Sequence, residues 1–160
     1  METDNGLVLP SGRSVNDGID PRLCSMSYIT VDSVARTLAS WGPGALMAKV
    51  DIEAAYRLIP VHPDDCPLLA VRWKGDIFCD RALPFGLRSA PKIFNAFDDA
   101  LEWCARYQGA SSVWHYLDDY IVLGPPASDQ CQSDLHTLER VCRELGVPLA
   151  SHKREGLLHA

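Results

Sequence analysis

The sequence predicts an α+β domain, with helices packed on one face of an antiparallel sheet. Three observations point there. The 160-residue chain is 47% hydrophobic and 22% charged, enough apolar content for one cored domain and too little charge for wholesale disorder. Its patterns run helix, strand, hairpin, helix, strand-turn-strand, helix, strand. Between "LLAVRW" and "IFCDRAL", the stretch Lys74-Gly75-Asp76 reads as a hairpin turn in which Gly75 supplies a positive φ, so the strands it joins are antiparallel.

Residues 1–30 are rich in turn formers, among them Gly6, Pro10, Gly12, Asn16 and Gly18, and read as a loop-rich lead-in. Thr30 or Asp32 can cap "VDSVARTLASW", whose Val34, Leu38 and Trp41 share a face, and the "GPG" at 42–44 stops that helix. "ALMAKVDI" is strand-like. "AAYRLIPVHPDDCP" then descends through a turn into the hairpin. "SAPKIFNAFDDALEWCARYQ" is the clearest helix: Ser89 caps it, Pro91 occupies the first turn where its missing N–H costs nothing, and Ile93, Phe97, Leu101 and Cys104 form a stripe. A last helix over residues 129–145 places Leu135, Leu138, Cys142 and Leu145 at helical spacing and stops at Gly146. "VPLASHK" starts a final strand.

The six cysteines never form a CxxC, and free, mostly buried thiols are expected. No HExxH pattern suggests zinc. A net charge of -6 does not advertise a basic face, so any nucleic-acid role must borrow positive charge from metal ions or from further protein. No run of roughly 18 apolar residues occurs and the N-terminus lacks a signal-peptide pattern, so a soluble, intracellular protein without a membrane partner is expected.

Three Asp-Asp pairs allow a comparison within one chain. Asp64-Asp65 sits between prolines in a turn, and Asp98-Asp99 sits in mid-helix, where at least one can face water; both read as surface features. Asp118-Asp119 differs, because "VWHYL" and "YIVLG" flank it as two arms of a tight hairpin. Two close carboxylates repel unless a cation holds them, so the pair is either a plain acidic turn or half of a divalent-metal site. Asp51, an acid at the end of the apolar strand "LMAKV", offers a third carboxylate, and magnesium takes only one or two protein carboxylates per ion.

With these residues in view, "KVDIEAAYRLIPV" resembles the first palm motif of reverse transcriptases, "LPFGLRSAPKIF" the second, "YLDD" the third and "LGVPLASHK" the fourth, in the family order. "SVNDGID" and "ALPFGLRSAPKIFN" look most like retrotransposon enzymes of the DIRS-like kind, with the Ty-three/gypsy group as neighbour. The resemblance implies a right-hand polymerase palm with partial fingers and no thumb, adding dNTPs to a primer 3'-hydroxyl on an RNA or DNA template by two-magnesium phosphoryl transfer, with manganese as the alternative ion. It also implies a core over residues 31–153 and a tail over 154–160. It implies that Asp51 and Asp118 bind both ions, with Asp119 in support and the Ile52 carbonyl as a further ligand. Tyr56 would lie under the sugar of the incoming nucleotide, or simply pack in the core. Phe85 matches the position that contacts nucleotide or template. Gly86 would admit the template backbone, or merely turn the chain. Arg88 would touch template phosphate or stay solvated, and Lys153 would neutralise or protonate pyrophosphate.

Two departures accompany the match. "METDNGLVLP" carries no Lys or Arg where the family's fingers grip triphosphate, so residues 1–30 read as a remnant of fingers. After Lys153 only "REGLLHA" follows, so a chain truncated at both ends is expected, lacking thumb and RNase H regions that a longer polyprotein would carry. Such a fragment would polymerise weakly or not at all alone, and the alternative is a non-catalytic retroelement remnant acting at most as an interaction module.

Overall fold

The computed structural model describes residues 12, 14–153 and 155–159. The chain divides into two compact units, one of residues 1–26 and 54–94, the other of residues 27–53 and 95–160.

The second unit is built on a four-stranded antiparallel sheet. β1 (Leu46–Asp51) lies at its centre beside β5 (Asp119–Gly124), with β4 (Val113–Tyr116) at one edge and β6 (Glu155–His159) at the other. Ala48 pairs with Val122 and Val50 with Tyr120, while Val113 and His115 of β4 face Val122 and Tyr120 across the other ladder. Residues opposite one another share a face, so these side chains form the inner surface, and Ala48, Val50, Val113, Tyr120 and Val122 are all buried. Two helices pack on it. α2 spans Ala90–Tyr107, its part beyond Phe94 belonging to this unit, and α3 spans Gln130–Leu145, contacting β1, β4 and β5. α1 (Val31–Trp41) begins where the Thr30 hydroxyl accepts the Ser33 N–H at 3.2 Å and ends at Gly42, with Val34, Leu38 and Trp41 half-buried as the periodicity predicts.

α3 is seated by close approach. A Cβ placed on Gly124 would lie 2.6 Å from the backbone nitrogen of Cys131, so only hydrogen fits between β5 and the first turn of α3. Nearby, Asp134 is buried, yet its Oδ2 accepts the N–H groups of Ser111 and Ser112 at 3.1 and 2.8 Å and the Gln130 amide reaches Oδ1 at 2.7 Å. Leu135, Leu138 and Cys142 are buried as expected, but Leu145 is 59% exposed, because the helix reaches its last turn there and reverses through left-handed Gly146.

The first unit carries four short 3-10 turns, Val15–Gly18, Pro21–Cys24, Ala55–Leu58 and Cys66–Leu69, and the hairpin β2 (Ala70–Trp73) to β3 (Asp76–Cys79). Its turn is two residues long. Lys74 as well as Gly75 takes a positive φ, 51° and 93°, and Asp76 already belongs to β3.

Three expectations are corrected. Leu101 of α2 is buried as expected, but its buried companions are Phe94, Asp98 and Ala105, each one residue beyond the expected Ile93, Phe97 and Cys104, and Ile93 is 42% exposed. An aspartate inside the true stripe disguised it. Asp98 is therefore not a surface residue: it is fully buried because the Tyr120 hydroxyl meets it at 2.9 Å, while Asp99 does face solvent. Finally, "VPLASHK" makes a single bridge, Ile52 to Leu149, and a 3-10 turn at Ser151–Lys153; the last strand is β6, in residues read as a tail, and it pairs with β1.

Candidate active site

Asp51 closes β1, Asp119 opens β5, and the two are direct partners in the ladder. Partners across a ladder project to the same side, so both carboxylates leave the sheet together, on the face opposite the helices. Asp118 sits in the two-residue turn between β4 and β5, where Leu117 holds a φ of 52°, strained for a side chain of this kind. The turn is fastened to β1, because the Asp118 carbonyl accepts the Ile52 N–H at 3.0 Å. Ile52 is 1% exposed, so its main chain is all it can offer a ligand.

Lys153 reaches the same place from far along the chain. The Glu53 N–H donates to the Pro148 carbonyl at 2.9 Å and the Ala150 N–H to the Asp51 carbonyl at 2.8 Å, which lays residues 148–150 beside the end of β1. The turn that follows delivers the Lys153 ammonium to both carboxylate oxygens of Asp51, at 3.1 and 3.0 Å. A second lysine, which the motif reading passed over, completes the arrangement: Lys49 Nζ lies 2.9 Å from Asp119 Oδ1. The period-two pattern of "AKVD" does place Lys49 on the face of Asp51, and that was the available signal.

Charges in this group shift one another. The Asp119 hydrogen bond holds the Lys49 ammonium above its usual range, over the opposing effect of burial. Burial raises the Asp118 carboxyl, and the charges of Asp51 and Asp119 raise it further while Lys153 works against them. Among the described residues no three His, Cys, Asp or Glu side chains converge on one point. The donors are nonetheless all hard carboxylate oxygens, and a magnesium ion that keeps waters and substrate phosphates needs only one or two of them. The residues fit that ion.

The other candidates lie in the first unit. The Tyr56 ring packs edge-on to Phe94 at 5.2 Å and tilted against Phe85 at 5.1 Å, and Phe85 is 74% exposed. Gly86 has a φ of 87° and open space where a Cβ would stand. Asn16, which carried no local signal beyond turn propensity, clamps this loop: its amide donates to the Gly86 carbonyl at 2.8 Å and its oxygen accepts the Arg88 N–H at 2.7 Å. The Arg88 guanidinium is tied to the Ile19 carbonyl at 3.0 Å. The structure thus gathers Asp51, Ile52, Asp118, Asp119 and Lys153 in one unit and Tyr56, Phe85, Gly86 and Arg88 in the other.

Residues 7–159 match the family described as reverse transcriptase (RNA-dependent DNA polymerase). This chain belongs to the reverse transcriptase family. Polyprotein P3 of Commelina yellow mottle virus is 24% identical over 113 residues, which are 70% of this chain and 6% of the polyprotein. The prototype foamy virus protease-reverse transcriptase superposes with a TM-score of 0.67 at 20% identity, over 92% of this chain and 20% of that one. The foamy viral protease-reverse transcriptase in complex with RNA/DNA hybrid gives 0.58 at 19% identity, over 68% of this chain and 14% of its own. A further foamy viral structure, in complex with double-stranded DNA, gives 0.66 at 18% identity, over 88% and 23%. These likenesses show the reverse transcriptase palm-like fold, and this chain spans a quarter or less of each relative. No described helix is long and apolar enough to cross a membrane.

Proposed function

We propose that this chain is the RNA-directed DNA polymerase domain of a retroelement, adding dNTPs to a primer 3'-hydroxyl. One observation carries the reading: Asp51 and Asp119 paired across β1 and β5, with Asp118 fastened beside them through the Ile52 N–H. Asp51 and Asp118 would hold magnesium, with Asp119 and the Ile52 main chain in support. When bound, that metal activates the primer hydroxyl and neutralises the triphosphate.

The chain's own side chains do the rest. Lys49 keeps the Asp119 carboxylate oriented, and Lys153, already on Asp51, is the cation we assign to neutralise or protonate the departing pyrophosphate. The Tyr56 ring, braced by Phe94, supports the nucleotide sugar and crowds out a 2'-hydroxyl, and exposed Phe85 meets nucleotide or template. Gly86 admits the template backbone and Arg88 its phosphate. A primed RNA or DNA template is the partner this requires, and the foamy viral structures with RNA/DNA hybrid and double-stranded DNA support it. The DIRS-like or Ty-three/gypsy-like subgroup is proposed on the wording of "SVNDGID" and "ALPFGLRSAPKIFN" alone.

The test is magnesium-dependent dNTP incorporation on a primed RNA template, by the chain alone and joined to fingers and thumb of a full-length relative. Incorporation that Asp118→Asn abolishes supports the reading. No incorporation by the wild type in either form overturns it.

A further inference from the structure

Asp98 takes no part in the chemistry above, yet it is fully buried and its Oδ2 has no hydrogen-bond partner. Burying a carboxyl costs stability unless it is fully paired, and an apolar residue of similar volume would fill the space without that cost. The one bond its side chain makes is from the Tyr120 hydroxyl to Oδ1 at 2.9 Å, shorter than the same hydroxyl's 3.3 Å approach to the Asp98 main-chain carbonyl, which no substitution of the side chain removes. Tyr120 immediately follows Asp119. Its ladder partner on β4 is His115, with ring centroids 5.7 Å apart, and this pair lies next to the Tyr116–Asp119 pair that closes the acidic turn.

His115 is held by the same helix. Its Nδ1 lies 2.7 Å from Glu102 Oε2 and its Nε2 3.4 Å from Asp99 Oδ1. Arg106, bonded to Glu102 at 2.7 Å, donates onward to the carbonyls of Ser111 and Val113 at the start of β4. Both arms of the hairpin are therefore fastened to one rigid element, α2, by hydrogen bonds. Apolar packing tolerates sliding and roll of a strand, whereas a hydrogen bond fixes direction as well as distance.

We propose that Asp98 is a positioning residue, whose bond to the Tyr120 hydroxyl fixes the roll of β5 so that Asp118 and Asp119 are aimed as a metal site requires. The inference rests on the metal-binding reading of those two aspartates. Groups that hydrogen-bond a metal's own ligands alter its affinity by about 10- to 100-fold in other proteins, and Asp98 acts one residue further out, through Tyr120.

The test uses the full chain with Asp98→Leu, Asp98→Asn, Tyr120→Phe and, as a cavity control on α3, Leu138→Ala. Mn2+ affinity is read from the paramagnetic resonance of the free ion, and hydrogen exchange is read at the amides of residues 117–119, with urea melts fixing the folded range. Asp98→Leu and Tyr120→Phe are expected to weaken Mn2+ binding about tenfold and to speed exchange at the turn. Asp98→Asn, whose amide oxygen still accepts the hydroxyl, is expected to stay near wild type in both. Unchanged affinity in Asp98→Leu and Tyr120→Phe overturns the proposal, as does an equal loss in Leu138→Ala. If the wild type binds no Mn2+, the metal reading fails by itself. Exchange at residues 117–119 then decides whether Asp98 positions the turn, and equal rates in all variants would sink that too.

Discussion

Among the described residues two hairpins have two-residue turns, and they differ in how their strands are packed. Lys74 and Leu117 hold nearly the same left-handed φ, 51° and 52°, and an aspartate opens the second strand of each. Around β2–β3, Val71, Trp73, Ile77 and Phe78 are all at least half exposed. Around β4–β5, Val113, Tyr120, Val122 and Leu123 are fully buried, and polar bonds from α2 hold both arms. A strained turn is thus no mark of a site by itself. Anchoring turns an acidic hairpin tip into a place where carboxylates can be aimed.

The sharpest way to break this comparison is to neutralise the aspartates of both hairpins. In primer extension by the chain joined to fingers and thumb, Asp118→Asn is expected to cut incorporation by about three orders of magnitude or more, and Asp76→Asn to leave it unchanged. Comparable losses would mean that the anchored turn is not special.

Stability should separate the two hairpins next. Leu123→Ala, at a site with no exposure, is expected to cost about 2–5 kcal/mol in urea unfolding. Ile77→Ala, at 64% exposure, should stay within about 0.5 kcal/mol.

The anchoring itself has a pH signature. Burial pushes the Asp98 carboxyl up from 3.8 to about 7, against the Tyr120 bond that lowers it. A carboxyl raised by folding binds its proton more tightly in the native state, so its contribution is full below about pH 4 and is lost as pH rises through 7. Relative to Asp98→Asn, the wild type should lose on the order of 3 kcal/mol across that window. Parallel stability profiles would show that Asp98 does not titrate in the fold. The high-lying Tyr120 phenol, raised mainly by burial, keeps its proton and remains the donor throughout.

The smallest effect is chemical. Cys79 on β3 is exposed and should alkylate within minutes at pH 8, as read by mass spectrometry. Burial pushes Cys131 to about 11 and Cys142 to about 12, so both should resist until the protein unfolds.

Sequence patterns carried the order of elements because apolar period and turn chemistry are local. The helix caps at Thr30 and Gly146 and the lysine-glycine turn were legible for that reason. Asp51 and Asp118 stood out as acids beside apolar strand segments, whereas Lys153 was picked out only by its motif; its approach to Asp51 depends on residues 148–150 lying beside the end of β1. Asp98 was misread because rules for a helical acid assume water on one side, and nothing local announces a tyrosine hydroxyl 22 positions away. Asn16 posed the same difficulty across 72 residues. β6 was overlooked because "GLLH" is too short to show an alternation, and its pairing with β1 is a tertiary fact.

Gly124 carries a consequence for how this sequence can drift. Every codon change that replaces glycine adds at least one carbon, and at this position even one carbon would meet the backbone nitrogen of Cys131. A residue with no side-chain chemistry, at the opposite end of β5 from Asp119, is therefore fixed by packing alone. Any side chain there must push the first turn of α3 away from β5.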